Sequence, residues 1–106
     1  MVYNYVFTEK AAEDLDKTMK YISEDLSNPS AAKNFFEKLF GLIDKIREYP
    51  QAGMVVDNEY LSDATIRKML LDNYIIYYKE DAVAKQIAIV RIVYGKRNLA
   101  EIMKTI

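Results

Sequence analysis

At 106 residues, 51% hydrophobic and 29% charged, the chain has the size and balance of one compact domain spanning 1–106, able to bury roughly two thirds of its unfolded surface. It has no Cys and no His, which excludes disulfide staples, thiol catalysis, Cys-based zinc sites and imidazole chemistry; Lys, Arg, Tyr and carboxylates are the reagents that remain. The formal net charge of -1 is unevenly spread: residues 1–64 hold seven Lys and Arg against twelve Asp and Glu, and residues 65–106 hold eight against four.

The basic second half suits an anionic partner, or else the two halves face each other. The first residues, MVYNYVFTEK, lack the basic start and apolar run of a signal peptide, and no stretch approaches the ~18 apolar residues of a membrane span. A soluble, cytoplasmic protein without membrane contact is expected. No Asp-rich loop of the kind that cages a cation is present in the sequence, so neither metal nor cofactor is expected.

VYNYVF, residues 2–7, is β-branched and aromatic and predicts a first strand. Thr8 is placed to cap a helix in which Ala11, Leu15, Met19, Ile22 and Leu26 recur at spacings of three and four. Asn28-Pro29 restarts the chain, Asn as cap and Pro at the first helical position. In the second helix Ala32, Phe35, Phe36, Leu39, Leu42, Ile43 and Ile46 form an apolar stripe, and Pro50 forces a stop by Tyr49. So short a connection predicts an antiparallel helical hairpin.

PQAG at 50–53 reads as a turn and 54–64 as an irregular polar connection. Three strand candidates follow: TIRKMLL (65–71), YIIYYKE (74–80) after the turn pair Asp72-Asn73, and KQIAIVRIVY (85–94) after a turn at 81–84. The last is apolar on both faces from Ile87 to Ile92 apart from Arg91, the pattern of a central strand covered on both sides. Residues 98–106 predict a short terminal helix. The order strand, helix, helix, strand, strand, strand predicts an α+β fold, a helical hairpin packed on a mostly antiparallel four-stranded sheet.

Strict alternation sends Arg67 and Lys68 to opposite faces and puts Arg91 with Ile87, Ile89 and Val93. Lys96 and Arg97 come just after the last strand ends at Gly95. If strands 65–71 and 85–94 both flank 74–80, then Arg67 or Lys68, Arg91 and Arg97 gather on one concave face, a set of donors suited to phosphate or carboxylate. The alternative is that the strand-end cations are solvated and Arg91 pairs with a carboxylate such as Asp72. Of the nine Tyr, Tyr74 and Tyr78 share one face of a strand and Tyr77 takes the other; they could stack on bases or serve as core and interface residues.

The hairpin AAEDLDKTMKYISEDLSNPSAAKNFFEKLFGLIDKIREYPQAG, the later IRKMLLDNYIIYYKED and RIVYGKRNL together resemble the RelE/ParE superfamily of bacterial type II toxin–antitoxin toxins, over nearly the whole chain and in the same order. The resemblance implies a growth-inhibiting, plasmid-stabilising toxin bound by a small cognate antitoxin, with a homo-oligomer or toxin–antitoxin hetero-oligomer as its assembly. RelE-like members are ribosome-dependent, metal-independent endoribonucleases that cut mRNA; ParE-like members inhibit DNA gyrase. In the nuclease pattern Lys68 resembles the strand lysine and Arg97, in GKR, the phosphate-binding arginine, which makes these two the catalytic candidates. Arg67, Arg91, Lys96 and Arg97 are then the anion- or partner-binding candidates.

Two positions depart from that pattern. Ile75 stands where a middle arginine is expected, directly after Tyr74, and Met103 stands where a late Tyr is expected. Ile75 cannot neutralise phosphate and Met103 cannot donate a proton; Tyr94 is the possible substitute acid. A sequence pI near 5.5 also suits a protein target better than RNA. The expectation is a ParE-like toxin acting on gyrase, with the nuclease and a non-toxic binding module of the same fold as the alternatives.

Overall fold

The computed structural model describes residues 2–56, 65–95, 101–102 and 104–105. The first strand, β1, runs Asn4–Phe7. Thr8 then caps α1 (Glu9–Lys20), its Oγ1 accepting from the Ala11 backbone N–H at 3.2 Å. At Tyr21 the helix widens into a π-helix, Tyr21–Asp25, in which the Leu26 N–H donates to the Tyr21 carbonyl at 3.0 Å. The wider turn breaks the three-and-four spacing. Ile22 stays in the core, but Leu26, expected to continue the stripe, is 55% exposed.

Asn28 caps α2 (Pro29–Glu48) by accepting from the Ala31 N–H at 3.0 Å, with Pro29 at the first helical position as expected. Its buried face is Ala32, Phe35, Leu39, Ile43 and Ile46. Phe36 departs from the predicted stripe: it lies roughly 100° around the helix from Phe35, is 44% exposed, and packs its ring 4.6 Å from that of Phe40. Gly41 is on the exposed side of α2, and a Cβ there would meet nothing within 4 Å. Gly41→Ala should therefore stabilise the fold by about 0.5–1 kcal/mol, read as a raised urea midpoint at unchanged slope. A loss of stability would mean that α2 is not an open helix surface at this point.

Among the described residues the sheet has five strands rather than the expected four, in the order β1-β5-β4-β3-β2. The added strand, β2 (Met54–Val55), falls in the stretch expected to be irregular, and two residues are too short to show an alternation. β3 (Ile66–Leu71), β4 (Tyr74–Asp81) and β5 (Gln86–Tyr94) match the three predicted strands closely. Asp72, at φ 53°, turns β3 into β4. β5 lies between β1 and β4, which accounts for its unbroken apolar run; it is parallel to β1 and antiparallel to β4.

Both helices cover one face, where Leu39 and Ile43 meet Ile76, Tyr78, Ile87, Ile89 and Ile92. The opposite face carries a second cluster of Ile66, Ile75, Tyr77, Val90 and Val93, with Ile102 from the C-terminal stretch upon it. Of the predicted terminal helix, residues 101 and 102 have helical geometry. The pairing of β4 with β5 slips between Tyr77 and Tyr78, so Tyr77 faces Arg91 while Tyr78 faces Ile89. Val90 is the extra residue of this bulge, and an extra residue reverses the alternation. Ile87 and Ile89 therefore share the helix side with Ile92, not with residues 91 and 93 as strict alternation requires. Among the described residues no helix is long and apolar enough to cross a membrane.

Candidate functional site

The bulge also decides what becomes of Arg91. β1 pairs with β5 only as far as Phe7 opposite Ile89, so beyond that point one edge of β5 has no strand beside it. The start of α1 takes the place of a strand. Thr8 Oγ1 donates to the Val90 carbonyl at 3.2 Å, and the Ile92 N–H donates to Asp14 Oδ2 at 3.0 Å. The same carboxylate accepts a forked pair from Arg91, Nε to Oδ2 at 2.7 Å and Nη2 to Oδ1 at 3.0 Å. Arg91 Nη1 donates to Thr105 Oγ1.

Arg91 is only 8% exposed and its side chain is closed on all sides by these partners. It is thus not an open anion-binding cation, and its carboxylate is Asp14, not the Asp72 considered from the sequence. A carboxylate 77 positions away cannot be found from spacing.

Of the other predicted cations, Arg67 is on the helix side of the sheet and Lys68 on the side that carries Arg91. Arg67 lies opposite Tyr78, and its Nη1 donates to the carbonyls of Gly53 at 2.9 Å and Gln51 at 3.4 Å, which ties down the PQAG turn. Lys68 lies opposite Tyr77, so it faces the side away from the helices. There it has Met54 directly across the strand pair and Leu70 two positions on, 69% and 71% exposed. Lys96 and Arg97 lie outside the described residues, as does Met103. Lys68 and Arg91 flank Tyr77 in one cross-strand row and so share the face away from the helices, but the Arg91 guanidinium is taken up by Asp14 and Thr105.

Tyr94 lies opposite Tyr74 on the helix side, with the two rings 5.6 Å apart, so it and Lys68 are on opposite sides of the sheet. With Tyr21 these two tyrosines line a cleft of about 680 Å³ between α1, the start of α2 and the ends of β4 and β5. Phe35 forms its wall, its ring 5.1 Å from that of Tyr74. Burial pushes the Tyr74 phenol above its usual range, the neighbouring Tyr21 and Tyr94 add to this, and the Thr18 hydroxyl partly offsets it. A neutral phenol there presents an amphipathic surface, apolar ring and polar tip, at neutral pH. Sequence reading placed Tyr74 on one strand face but had no means of bringing Tyr21, more than fifty positions away, beside it. Among the described residues no group of His, Cys, Asp and Glu is placed to hold a metal ion.

A family model described as the ParE toxin of the type II toxin–antitoxin system, parDE, matches residues 5–99. The chain belongs to that family. No curated protein matches it in sequence. Solved structures share its fold. The chromosomal ParDE toxin–antitoxin system of P. aeruginosa is similar at a TM-score of 0.69 and 20% identity, over 90% of this chain and 98% of that one. The RelBE2 toxin–antitoxin complex of Mycobacterium tuberculosis is similar at 0.60 and 21% identity, over 89% and 99%. The archaeal RelE-RelB complex of Pyrococcus horikoshii OT3 follows at 0.60 and 18% identity, over 92% and 100%. This ParE-family chain therefore carries its family's sequence pattern on a fold common to ParE and RelE toxins.

Proposed function

We propose that this ParE-family chain is the toxin of a type II module, held by a cognate antitoxin in the cytoplasm, and that it restrains growth by binding a protein target, DNA gyrase, rather than by cutting RNA. The observation that carries this reading is the Asp14–Arg91 pair: a cation that a nuclease would direct at phosphate is buried and neutralised within the fold. Arg67 is likewise engaged by backbone carbonyls. Lys68 stands among the exposed apolar side chains of Met54 and Leu70, a setting that suits contact with a protein better than a phosphodiester track.

The nuclease reading keeps Lys68 and Arg97 as its reagents, and it needs an acid other than Tyr94, which lies across the sheet from Lys68. Plasmid stabilisation would follow from a toxin that outlives its antitoxin.

Inducing the toxin in bacteria without antitoxin, with parallel pulse-labelling of DNA and protein synthesis, separates the readings. DNA synthesis should fail first, and the purified chain should inhibit supercoiling by purified gyrase. Early collapse of protein synthesis with cleaved mRNA would replace this proposal by the ribosomal nuclease. Growth unaffected in the host that carries the module would leave a non-toxic binding module.

A further inference from the structure

β1 forms one edge of the sheet, and its outer side is open. In its pairing with β5 the Asn4 N–H donates to the Lys85 carbonyl at 3.0 Å and the Thr8 N–H to the Ile89 carbonyl at 3.0 Å. Alternation along the pair then points the backbone groups of Asn4, Val6 and Thr8 at β5 and those of Tyr3, Tyr5 and Phe7 outwards. Tyr3 is satisfied on that side. Its N–H donates to the Arg47 carbonyl at 3.1 Å and its carbonyl accepts from Arg47 Nε at 2.6 Å, so the end of α2 closes the edge there. The outward N–H and C=O groups of Tyr5 and Phe7 have no partner among the described residues.

Sheet edges are ordinarily guarded by charge, proline or brevity. β2, at the other edge, is two residues long. β1 reads NYVF, with neither charge nor proline. Tyr5 and Phe7 set their rings on the helix side against Phe40, where with Leu15 and Met19 they line an open apolar groove of about 410 Å³. The exposed ring of Phe36 extends this surface from Phe40. Val6 points to the other face of the sheet and is 41% exposed.

We infer that β1 is a self-pairing edge, which takes β1 of a second copy of this chain in antiparallel fashion about a two-fold axis through Val6. The register singles out this occupant. With Val6 opposite the partner's Val6, Tyr5 falls opposite the partner's Phe7, and Phe7 opposite the partner's Tyr5. Both members of each such pair face outwards, so they exchange N–H and C=O, and every open backbone group of the edge is satisfied. The aromatic pairs meet on the helix side, where the two grooves join, and the valines meet in the close non-hydrogen-bonded pair on the other face. The charges match too. The same register carries Tyr3, with Arg47 upon it, to the partner's Glu9, an exposed carboxylate that has no partner among the described residues. Arg47 holds Asp44 through Nη1 alone, which leaves Nη2 to meet it. The contact also limits itself: past Thr8 the partner's chain turns into α1, and Arg47 fills the next place on the edge.

The test is sedimentation of the purified full chain over a range of concentrations, with amide hydrogen exchange at Tyr5 and Phe7. The wild-type chain should dimerise, and these two amides should gain protection as the dimer fills. Val6→Lys sets like charges directly opposite each other and should weaken the dimer at least about tenfold, as should Val6→Glu. Mixing the two variants should restore pairing as a heterodimer, because the facing charges are then opposite. Val83→Lys, at a position 96% exposed in the β4–β5 turn, should dimerise as wild type. Thermal melts check that each variant folds, and recovery on mixing shows it independently. A wild-type chain still monomeric at millimolar concentration would overturn the inference. So would a dimer that both Val6 variants leave intact, which places the contact on another face. Protection of Tyr5 and Phe7 only when a different protein is added would also overturn it, giving the edge to an unlike chain.

Discussion

Asp14→Ala should be the most damaging single change at a polar residue of this protein, lowering its stability by about 3–5 kcal/mol. The carboxylate is the acceptor for three donors at once: Arg91 Nε, Arg91 Nη2 and the Ile92 N–H. Removing it leaves a guanidinium with 9% of its side-chain surface exposed and no counter-charge. It also orphans a strand N–H that has no β1 residue beside it. Against a typical total of roughly 5–15 kcal/mol, such a loss would leave a measurable unfolded fraction near physiological temperature.

The size of the effect reflects the stranded charge more than the worth of the pair. Asp14→Ala with Arg91→Met should therefore lose less than the sum of the two single changes, because the double variant buries no isolated ion. Asp14→Asn should fall between, since its amide oxygen can still accept from Ile92. Urea unfolding of the four variants checks this. An Asp14→Ala midpoint within about 0.5 kcal/mol of wild type would show that the contact contributes little, and would remove the observation on which the gyrase reading leans.

Tyr78 is the second point of high sensitivity. It is fully buried, and its hydroxyl donates to the Pro50 carbonyl at 2.8 Å while accepting from the Gly53 N–H at 2.8 Å. Tyr78→Phe leaves both backbone groups without that partner and should cost about 1–3 kcal/mol. Gly53→Ala attacks the same latch from the other side. A Cβ there would sit 2.7 Å from Tyr78 Oη and 2.8 Å from the Lys68 carbonyl, so either the turn or the β2–β3 pairing must shift. The cost should again be about 1–3 kcal/mol, and less than additive with Tyr78→Phe because the clash with the hydroxyl is then gone, although those with the ring Cε1 and the Lys68 carbonyl, each at 2.8 Å, remain.

The latch also sets an alkaline limit. Burial raises the Tyr78 phenol above its ordinary 10.0, with the Gly53 N–H and Arg67 pulling it partly back. Burial likewise raises Tyr77 and Tyr74. Above pH ~10 the unfolded chain releases these protons before the folded one does, so it binds fewer of them and stability falls as pH rises. Below pH ~10 all three contributions are fully present. Melting temperatures measured from about pH 8 to about pH 12 should stay level and then drop, and Tyr78→Phe should drop less steeply from its lower starting value. A wild-type curve that stays flat beyond pH ~11 would contradict the role given to these phenols.

Much of this protein is written locally. The caps at Thr8 and Asn28, Pro29 at the head of α2, the turn at Asp72 and the two-sided apolar run of β5 are each decided by residues a few positions apart, where backbone sterics and hydrophobic period act directly. Those features, in their order, were enough to read an α+β hairpin-on-sheet chain with a ParE-like pattern. Other features depended on contacts no window of sequence contains. The bulge at Val90 is a feature of the β4–β5 pairing, and it overturned the face assigned to Arg91. β2 exists because Arg67 and Lys68 offer it an edge. Asp14 meets Arg91, and Tyr21 meets Tyr74 and Tyr94, only once α1 is laid along the end of the sheet. Local sequence was enough for both helices, four of the five described strands and the family pattern, because caps and hydrophobic period act over a few residues. β2, the π-turn and the partners of the charges were decided by the packing of elements far apart in the chain.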